Sequence, residues 1–540
     1  MLVSLLTLLG STAQAQTLTW DGGGSDNNWS TPGNWSNNDV PDGSGKAALF
    51  TDDEVGQTKP APNLSADVTI GQLQFSAAAP SYSITGSGPA TLFLSPNASF
   101  DGVGVLVASG AADQTILAAE VEFLSSQKWN IEGTTTLLVT GTIEDAPSPD
   151  YALTKNGTGT LVFSGDVRYD GATTINAGAL VLSHDNSSML SAYTVNAGLL
   201  RATTHGNALG NNPSDPARNN ITLAGGALEL AKDEGLTFGH ANRNTIVSGN
   251  TTIRSDRLIA GAGVTHALGR LQIGAQTLSV AAGAFVSSGT AGLTFGTTTL
   301  TTNGAAFDVA SGANLTLGAL SGNFAFTKQG SGQITLNTAA IANRTSARVT
   351  LSSGAMKLGN ASALGTAAVP LTLNGGTLDL AINSSVNAHN TTVGGNATIA
   401  SGRSTGGSGV THTLGTLAIG TQTLSLTAGA NAASGTAGIT FGATTLSGDA
   451  TFDVVNSDSA DVQLTLGAIG ESGGVRSLTK TGNGTLALTA TNSYTGNTTV
   501  QAGKLALANR GLADSADVFL STGSTLELTI TMNCMWFITI

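Results

Sequence analysis

The chain contains the sequence Leu153-Thr-Lys-Asn-Gly-Thr-Gly-Thr-Leu-Val-Phe163, which is followed by Gly178-Ala-Leu-Val-Leu182. The same pattern returns 325 positions later, without a gap, as Leu478-Thr-Lys-Thr-Gly-Asn-Gly-Thr-Leu-Ala-Leu488 and Gly503-Lys-Leu-Ala-Leu507. Self-similarity of this kind is typical of stacked repeat architectures rather than of a compact enzyme domain. The sequence therefore predicts a fold built by adding coils to one continuous core.

Each copy of the pattern places a lysine and several glycines at fixed spacing. A weaker third copy begins with Phe326-Thr-Lys-Gln-Gly-Ser-Gly-Gln-Ile-Thr-Leu336. We expect the lysines at exposed strand ends, because each begins a repeat, rather than in a row of ligands. The glycines are expected at corners, where φ can be positive. These motif positions are Lys155, Gly157, Gly159, Gly178, Lys328, Gly330, Gly332, Lys480, Gly482, Gly484 and Gly503.

The spacing of the leucines predicts the size of one coil. Leu161 and Leu180 are 19 residues apart, and so are Leu486 and Leu505. A coil of about 20 residues with two or three short strands fits a parallel β-helix, and Thr173-Thr-Ile175 is expected to be a second strand of its coil. Steps such as Leu-Glu-Leu and Leu-Asp-Leu occur along the chain, so alternate side chains point inward and outward. Such steps occur at 228–230, 378–380, 424–426 and 526–528.

The composition favours an all-β protein and excludes several partners. Gly accounts for 71 of 540 residues, charged residues for 10% and aromatic residues for 5%. The net charge is −13 and no run of basic residues occurs, so the electrostatic footprint of nucleic-acid binding is missing. Attraction to anionic lipid is equally disfavoured. The one cysteine, Cys534, cannot form an intrachain disulfide.

The two ends of the chain differ from the rest. Residues 1–15 are predicted to be a signal peptide, cleaved between Ala15 and Gln16, although they lack a basic first region; a buried strand is the alternative. No segment is long and apolar enough for a transmembrane helix. The tail 531–540 breaks the composition before it. We expect a truncated or shifted reading frame there, with a C-terminal strand as the alternative.

Between these ends we expect an N-terminal cap at 16–60 and a repeat region at 61–530. The cap segment holds Trp20, Trp29 and Trp35. Large aromatic side chains can cover the open end of a solenoid, which would otherwise pair with another chain. An aromatic platform for sugar is the alternative interpretation.

A larger duplication overlies the short repeat. Gly263-Val-Thr-His266-Ala-Leu-Gly269 returns as Gly409-Val-Thr-His412-Thr-Leu-Gly415, an offset of 146 positions. Because the two histidines are repeat equivalents, we expect them in structural turns or on the surface. Whole-block duplication is readily accommodated in a stacked fold, in which each coil meets only its neighbours.

The sequence predicts no catalytic residue, no metal site and no cofactor. The histidines are scattered, and neither zinc-type spacing nor a nucleophile elbow occurs. Asp21-Gly-Gly-Gly-Ser-Asp26 is a single, off-pattern match to a calcium-binding turn. The carboxylates of Asp52-Asp-Glu54, Asp458 and Asp461 fit solvated loops better than a glycosidase acid and base.

The Leu-Thr-Lys-x-Gly-x-Gly-x-Leu, Tyr-x-Gly and Gly-x-Leu-x-Leu elements resemble the autotransporter-associated β-strand repeat. The resemblance is good at 153–182 and 478–507 and partial at 326–358, where the Tyr-x-Gly element is missing. It implies a right-handed parallel β-helix, a single elongated rod, and export through the inner membrane. Residues after 508 cannot supply the strands of a C-terminal translocator barrel. We therefore expect either that the gene continues beyond Ile540 or that another system exports the chain.

The predicted function is a secreted, non-enzymatic bacterial surface protein with a structural or adhesive role, associated with the outer membrane. Its expected partners are the export machinery in transit and an extracellular glycan or a host or neighbouring cell surface. The alternative is a β-helical polysaccharide lyase or glycoside hydrolase, which requires several carboxylates or basic groups from neighbouring coils on one face.

Overall fold

The computed structural model describes residues 15–52, 61–146, 148–211, 218, 220–508, 512 and 517–529. Most of the predicted signal peptide and the whole tail 531–540 lie outside these ranges. Gln16, the first residue after the predicted cleavage point, begins the first described strand. The described residues form short strands and three single-turn 3-10 helices, at Pro32–Asn34, Ser36–Asn38 and Ala98–Phe100. None of the helices in these ranges is long and apolar enough to span a bilayer.

The strands are numbered in chain order. They are β1 Gln16–Thr19, β2 Gly43–Phe50, β3 Asn63–Leu64, β4 Val68–Phe75, β5 Ser83–Gly86, β6 Thr91–Leu94, β7 Val103–Val107, β8 Gln114–Leu117, β9 Glu120–Phe123, β10 Gln127–Ile131, β11 Thr136–Val139, β12 Thr142–Asp145, β13 Leu153–Asn156, β14 Thr160–Phe163, β15 Thr173–Ile175, β16 Ala179–Leu182, β17 Tyr193–Val195, β18 Leu199–Thr203, β19 Ile221–Leu223, β20 Ala227–Ala231, β21 Asn244–Val247, β22 Thr251–Asp256, β23 Gly261–Ala262, β24 Thr265–Ala267, β25 Arg270–Ile273, β26 Thr277–Ala282, β27 Val286–Ser288 and β28 Ala291–Phe295. They continue as β29 Thr298–Leu300, β30 Ala305–Val309, β31 Ala313–Leu317, β32 Leu320–Ser321, β33 Phe326–Gln329, β34 Gln333–Leu336, β35 Val349–Leu351, β36 Ala355–Leu358, β37 Leu371–Leu373, β38 Thr377–Ala381, β39 Thr391–Val393, β40 Ala397–Gly402, β41 Gly407–Ser408, β42 Thr411–Thr413, β43 Leu417–Ile419, β44 Thr423–Ala428, β45 Ala432–Ser434, β46 Thr436–Phe441, β47 Thr444–Leu446, β48 Ala450–Val455, β49 Asp461–Leu466, β50 Ile469–Glu471, β51 Leu478–Thr481, β52 Thr485–Leu488, β53 Thr498–Val500, β54 Lys504–Ala508, β55 Val518–Leu520 and β56 Thr525–Thr529.

Successive coils pair in parallel and in the register that the sequence predicts. Leu161 lies beside Leu180, and Leu486 lies beside Leu505. The predicted second strand of the first coil is β15, which pairs with β13 below it. Across the described residues the fold is a parallel β-solenoid of about 19 turns with almost no helix, which confirms the prediction of an all-β parallel β-helix.

The described chain divides into two compact units. One runs up to Gly261 and includes 266–269 and 283–285; the other contains 262–265, 270–282 and the residues from Val286 onward. Each unit is a stack of coils with inward-facing columns of Leu, Ile, Val and Phe.

The burial of alternate strand residues confirms the predicted inner wall. Leu228 and Leu230 are buried while Glu229 between them faces outward, and Leu378 and Leu380 are buried around Asp379. Each buried leucine stabilises the fold by about 1.5–3 kcal/mol. The expectation of an inward face is wrong for Leu528, which is 45% exposed because β56 is the last described strand and no described coil covers it.

The leader packs its tryptophans into the first coils. The rings of Trp20 and Trp29 lie 5.0 Å and 4.7 Å from the ring of Trp35, and all three are buried. The indole Nε1 of Trp35 donates to the carbonyl of Trp29. A sugar platform requires an accessible ring face, so these three tryptophans do not form one. Their burial beside β1 and β2 supports the cap, which stays a proposal.

Candidate functional site

The repeat lysines are buried, and the expectation that they lie at exposed strand ends is wrong. Lys155, Lys328 and Lys480 each have a relative exposure of 0%. The reason is strand alternation: each lysine lies two residues after an inward residue, so its side chain leaves the same face. In the first repeat, Lys155 lies between Trp129 and Ile175 in register, within an inward column.

Each buried ammonium is held by three backbone carbonyls. The Lys480 Nζ donates to the carbonyls of Thr481 at 2.5 Å and Gly482 at 2.6 Å, in its own turn. Its third bond goes to the carbonyl of Ala502, 3.2 Å away in the next coil. The lysine therefore ties the corner of its own coil to the coil that follows. We call this arrangement the lysine cage.

The same cage occurs in the other two copies. Lys155 donates to Asn156 at 2.7 Å, Gly157 at 2.8 Å and Ala177 at 3.4 Å, and Lys328 donates to Gln329 at 2.6 Å, Gly330 at 2.8 Å and Ser353 at 3.3 Å. An ammonium has three N–H donors, and each cage offers three carbonyl acceptors, so every donor has a partner.

Burial lowers the pKa of each of the three lysines to about 8. The carbonyl oxygens act in the opposite direction, because hydrogen bonds to the charged form favour it. The cage thus holds a cation at neutral pH in a buried site, and its three bonds offset the cost of burying the charge.

The cage glycines serve two different needs. Gly482 has φ +71°, a conformation that a residue with a Cβ rarely adopts, and its carbonyl is one of the lysine acceptors. Gly484 is required for space instead, because a Cβ there would lie 2.8 Å from the Val454 side chain and from the Val462 carbonyl. Positive φ also occurs at Gly157, Gly178, Gly330 and Gly503, whereas Gly159 and Gly332 lack it and face the preceding coil.

A second buried polar side chain follows each lysine. Tyr169 and Tyr494 are buried, and the hydroxyl of each lies 2.6 Å from a threonine hydroxyl four residues later. The third copy lacks this tyrosine and has Arg344 in its loop. The guanidinium of Arg344 is buried and donates to four carbonyls, those of Leu364, Gly322, Phe324 and Ala347.

Three carboxylates that were not predicted as a group meet on the outer face of β9 and β12. Ligand oxygens of Glu120, Glu122 and Glu144 lie within 4.8 Å of one another, a spacing that could hold a metal ion. A hydrogen bond with Glu120, together with partial burial, raises the pKa of Glu144 to about 7. Glu120 and Glu122 lie two residues apart on β9, so strand alternation alone places them on the same face. Glu144 comes close to them only because β12 pairs with β9 in this register.

The expectation that the equivalent histidines lie in structural turns or on the surface is wrong. His266 and His412 are buried in β24 and β42. The Nε2 of each ring faces a backbone carbonyl ten residues earlier, that of Asp256 at 2.9 Å and of Gly402 at 3.2 Å. Burial lowers the pKa of both rings, so they are neutral structural groups at pH 7.

The remaining candidates from the sequence lie apart from these groups. Asp21 and Asp26 use carboxylate oxygens to accept backbone N–H groups of Gly23 and Asn28. Asp458 and Asp461 are exposed; Asp458 lies in a loop as expected, whereas Asp461 begins β49. Asp53 and Glu54 lie outside the described residues.

Residues 153–182 and 478–507 match the family model described as the passenger-associated-transport-repeat. These two stretches carry the passenger-associated-transport-repeat. This confirms the predicted resemblance at both full copies of the transport repeat. The partial copy at 326–358 lies outside the matched residues, although its lysine cage is equivalent. No curated protein and no solved structure matches the chain.

Proposed function

We propose that this protein is an exported, passenger-type bacterial surface protein with a structural or adhesive role and no catalytic activity. The observation that carries the proposal is the transport repeat at 153–182 and 478–507. In both copies the most polar side chain, the lysine, is bound by carbonyls of the chain itself. The repeat lysine therefore stabilises the solenoid and is not available to a ligand. This is the behaviour expected of a repeat that assists transport.

The lysine cage suggests how the repeat assists export. Two of its three bonds form within one turn, and the third forms only when the following coil stacks. Each new coil of a solenoid gains interactions from its neighbour alone. A cage that binds the following coil therefore favours stepwise stacking of the chain as it emerges.

The outer face is proposed to contact an extracellular glycan or another cell surface. The whole chain has a net charge of −13. It therefore offers no strong field for anionic partners.

Export is tested by producing the full chain, with residues 1–15, in a bacterium. We expect an N-terminus at Gln16 in the processed protein and cleavage by protease added to intact cells, with a cytoplasmic marker left whole. Replacement of Ala15 by Tyr should retain the leader. Unprocessed protein confined to the cytoplasm would contradict the proposal.

The contribution of the repeat is tested with paired variants. Lys155→Met with Lys480→Met removes both cages, whereas Lys128→Met with Lys504→Met removes two partly exposed lysines that bind Asp101 and Glu527 at the surface. We expect a lower amount of surface protein for the first pair and none of that loss for the second. Equal surface amounts would show that the cages do not assist export.

One observation favours the alternative of a glycan-cleaving enzyme. The carboxylates of Glu120, Glu122 and Glu144 come from neighbouring coils on one face, and retaining glycosidases place two carboxyl groups roughly 5 Å apart. A pKa of about 7 would let Glu144 act as the acid.

The enzymatic alternative is tested by incubating the purified protein with plant and microbial glycans and measuring reducing ends and unsaturated uronates. Activity that is lost in Glu144→Gln would establish a glycosidase and overturn the non-enzymatic proposal. Wild type and Glu144→Gln should both be inactive if the surface role holds.

A further inference from the structure

Each transport repeat follows directly after the last strand of a stack. In the first unit the stack β6, β9, β12 ends at β12, and in the second unit β25, β29, β32 ends at β32 and β43, β47, β50 ends at β50. The next strands along the chain are β13, β33 and β51, which carry Lys155, Lys328 and Lys480. We call β12, β32 and β50 the terminal strands.

A terminal strand exposes the edge of a sheet unless something covers it. An uncovered edge presents unpaired N–H and C=O groups, to which another chain can add a strand. In the described residues, the coils that begin with the three repeat copies contain no strand that continues these stacks, and only Val167 forms a single parallel bridge to Ile143 of β12. The loop between the two halves of each repeat lies there instead.

In the first repeat this loop bonds to Ile143, the second residue of β12. Ile143 is buried; its N–H donates to the carbonyl of Asp166 at 2.9 Å, and its carbonyl accepts from the N–H of Arg168 at 2.7 Å. The ring of Tyr169, in the same loop, lies 5.1 Å from the ring of Phe123 on β9. The loop therefore satisfies the edge and fills the column beneath it.

The last repeat has the same arrangement with different donors and acceptors. The Ile469 N–H of β50 donates to the Asn492 side-chain Oδ1 at 2.7 Å, and its carbonyl accepts from the Ser493 N–H at 2.8 Å. Thr495 in this loop donates its hydroxyl to the carboxylate of Glu471, the last residue of β50.

The partial copy caps its terminal strand too, although its loop sequence differs. The Leu320 carbonyl of β32 accepts from the Ile341 N–H at 2.8 Å, and the Gly322 N–H donates to the Asn343 Oδ1 at 3.3 Å. Arg344 bonds to the carbonyls of Gly322 and Phe324, just after the terminal strand. Three loops with different side chains thus perform one task.

We infer that each transport repeat is a sheet terminator, whose loop caps the last strand of a stack and prevents that edge from pairing with another chain. The inference rests on the hydrogen bonds that the three loops make to the backbone at the terminal strands. It does not depend on where the protein is displayed.

The test uses Asn492→Ala, which removes the acceptor of the Ile469 N–H, in the full chain. The matched control is Asn456→Ala, which removes an equivalent bond to the Val462 N–H of β49, a strand that has β46 and β52 on its two sides. Hydrogen exchange at Ile469 and sedimentation velocity are measured for both. We expect exchange at Ile469 on the order of tenfold faster in Asn492→Ala, with a dimer or larger species.

Asn456→Ala should show neither change. Unaltered exchange at Ile469, or the same monomeric state in both variants, would overturn the inference. If Asn492→Ala does not fold, Asn343→Ala gives the same test at the exposed loop beside β32, read at the Gly322 amide. Faster exchange there with association supports the inference, and unchanged exchange or a monomer overturns it.

Discussion

Removal of one caged ammonium should loosen the coil that it joins to the next. Lys480→Met keeps a long apolar stem in the inward column between Phe452 and Val500. It strands three carbonyls, each at a cost of about 1–3 kcal/mol, or about 5 kcal/mol together. Burial lowers the lysine pKa from 10.5 to about 8, so the buried charge destabilises the folded state by about 3 kcal/mol. Replacement by Met removes this cost. The net loss is about 2 kcal/mol.

This loss is best measured locally, because long repeat arrays unfold without full cooperativity. Hydrogen exchange of peptides within 478–507 should accelerate by roughly 30-fold in Lys480→Met, since ~1.4 kcal/mol corresponds to a factor of ten. Lys504→Met is the control: Lys504 is partly exposed, and its ammonium pairs with Glu527 at the surface, where solvent screens the interaction. Equal exchange in the two variants would refute the cage as a stabilising element.

Three further outcomes follow from burial and charge. Acylation of the folded protein at pH 8 should label exposed Lys128 while sparing Lys155, as read by mass spectrometry; equal labelling would contradict the burial of the cage. The pKa of Glu144 is raised, so protonated Glu144 stabilises the folded state fully below about pH 4.5, and this stabilisation is lost as pH rises through 7. Over that range the melting temperature of the wild type should fall relative to that of Glu144→Gln, by an amount that reflects about 1 kcal/mol after solvent screening. A difference between the two melting temperatures that stays constant with pH would contradict this. The pKa values of His266 and His412 are lowered, so the neutral rings stabilise the folded state above pH 6.5, and this stabilisation is lost as pH falls. Hydrogen exchange of the amides near both rings, corrected for intrinsic rates, should become faster below pH 6. Unchanged protection of these amides at pH 5 would contradict the prediction.

The coil size and inner wall could be predicted from the sequence because both depend on spacing. Leu161 and Leu180 are paired in the structure at the predicted offset. Parallel pairing in register forces inward residues of successive coils into columns, so an apolar residue that returns every 19 positions identifies its own neighbour. The repeat motif contains that information directly.

The burial of the lysines was missed because the expectation rested on charge rather than alternation. Leu153 faces inward, so Lys155, two residues later, must share its face. What the sequence does not show is where the ammonium finds acceptors. Those are main-chain carbonyls, two of them from the lysine's own turn and one from a coil about 20 residues away.

The carboxylate group and the loop caps were missed for a related reason. Glu144 reaches Glu120 only through the pairing of β12 with β9, and the Ile143 backbone meets the Asp166 carbonyl only after the coil closes. These are contacts of high sequence separation between groups that carry no distinctive spacing. Pattern reasoning along the chain has nothing from which to derive them.

The partial copy shows which parts of the repeat the fold needs. Its loop has Arg344 where the full copies have a tyrosine, yet Lys328 keeps all three cage bonds. The cage uses backbone acceptors, so it tolerates almost any sequence between the lysine and the next coil, provided that the corner can turn at Gly330. The loop has only to place a donor or acceptor at the last strand and to fill the corner with one large buried side chain. A sequence search weighted toward the tyrosine will therefore miss coils of this kind, whereas a search for Lys-x-Gly-x-Gly directly after a short strand should find them.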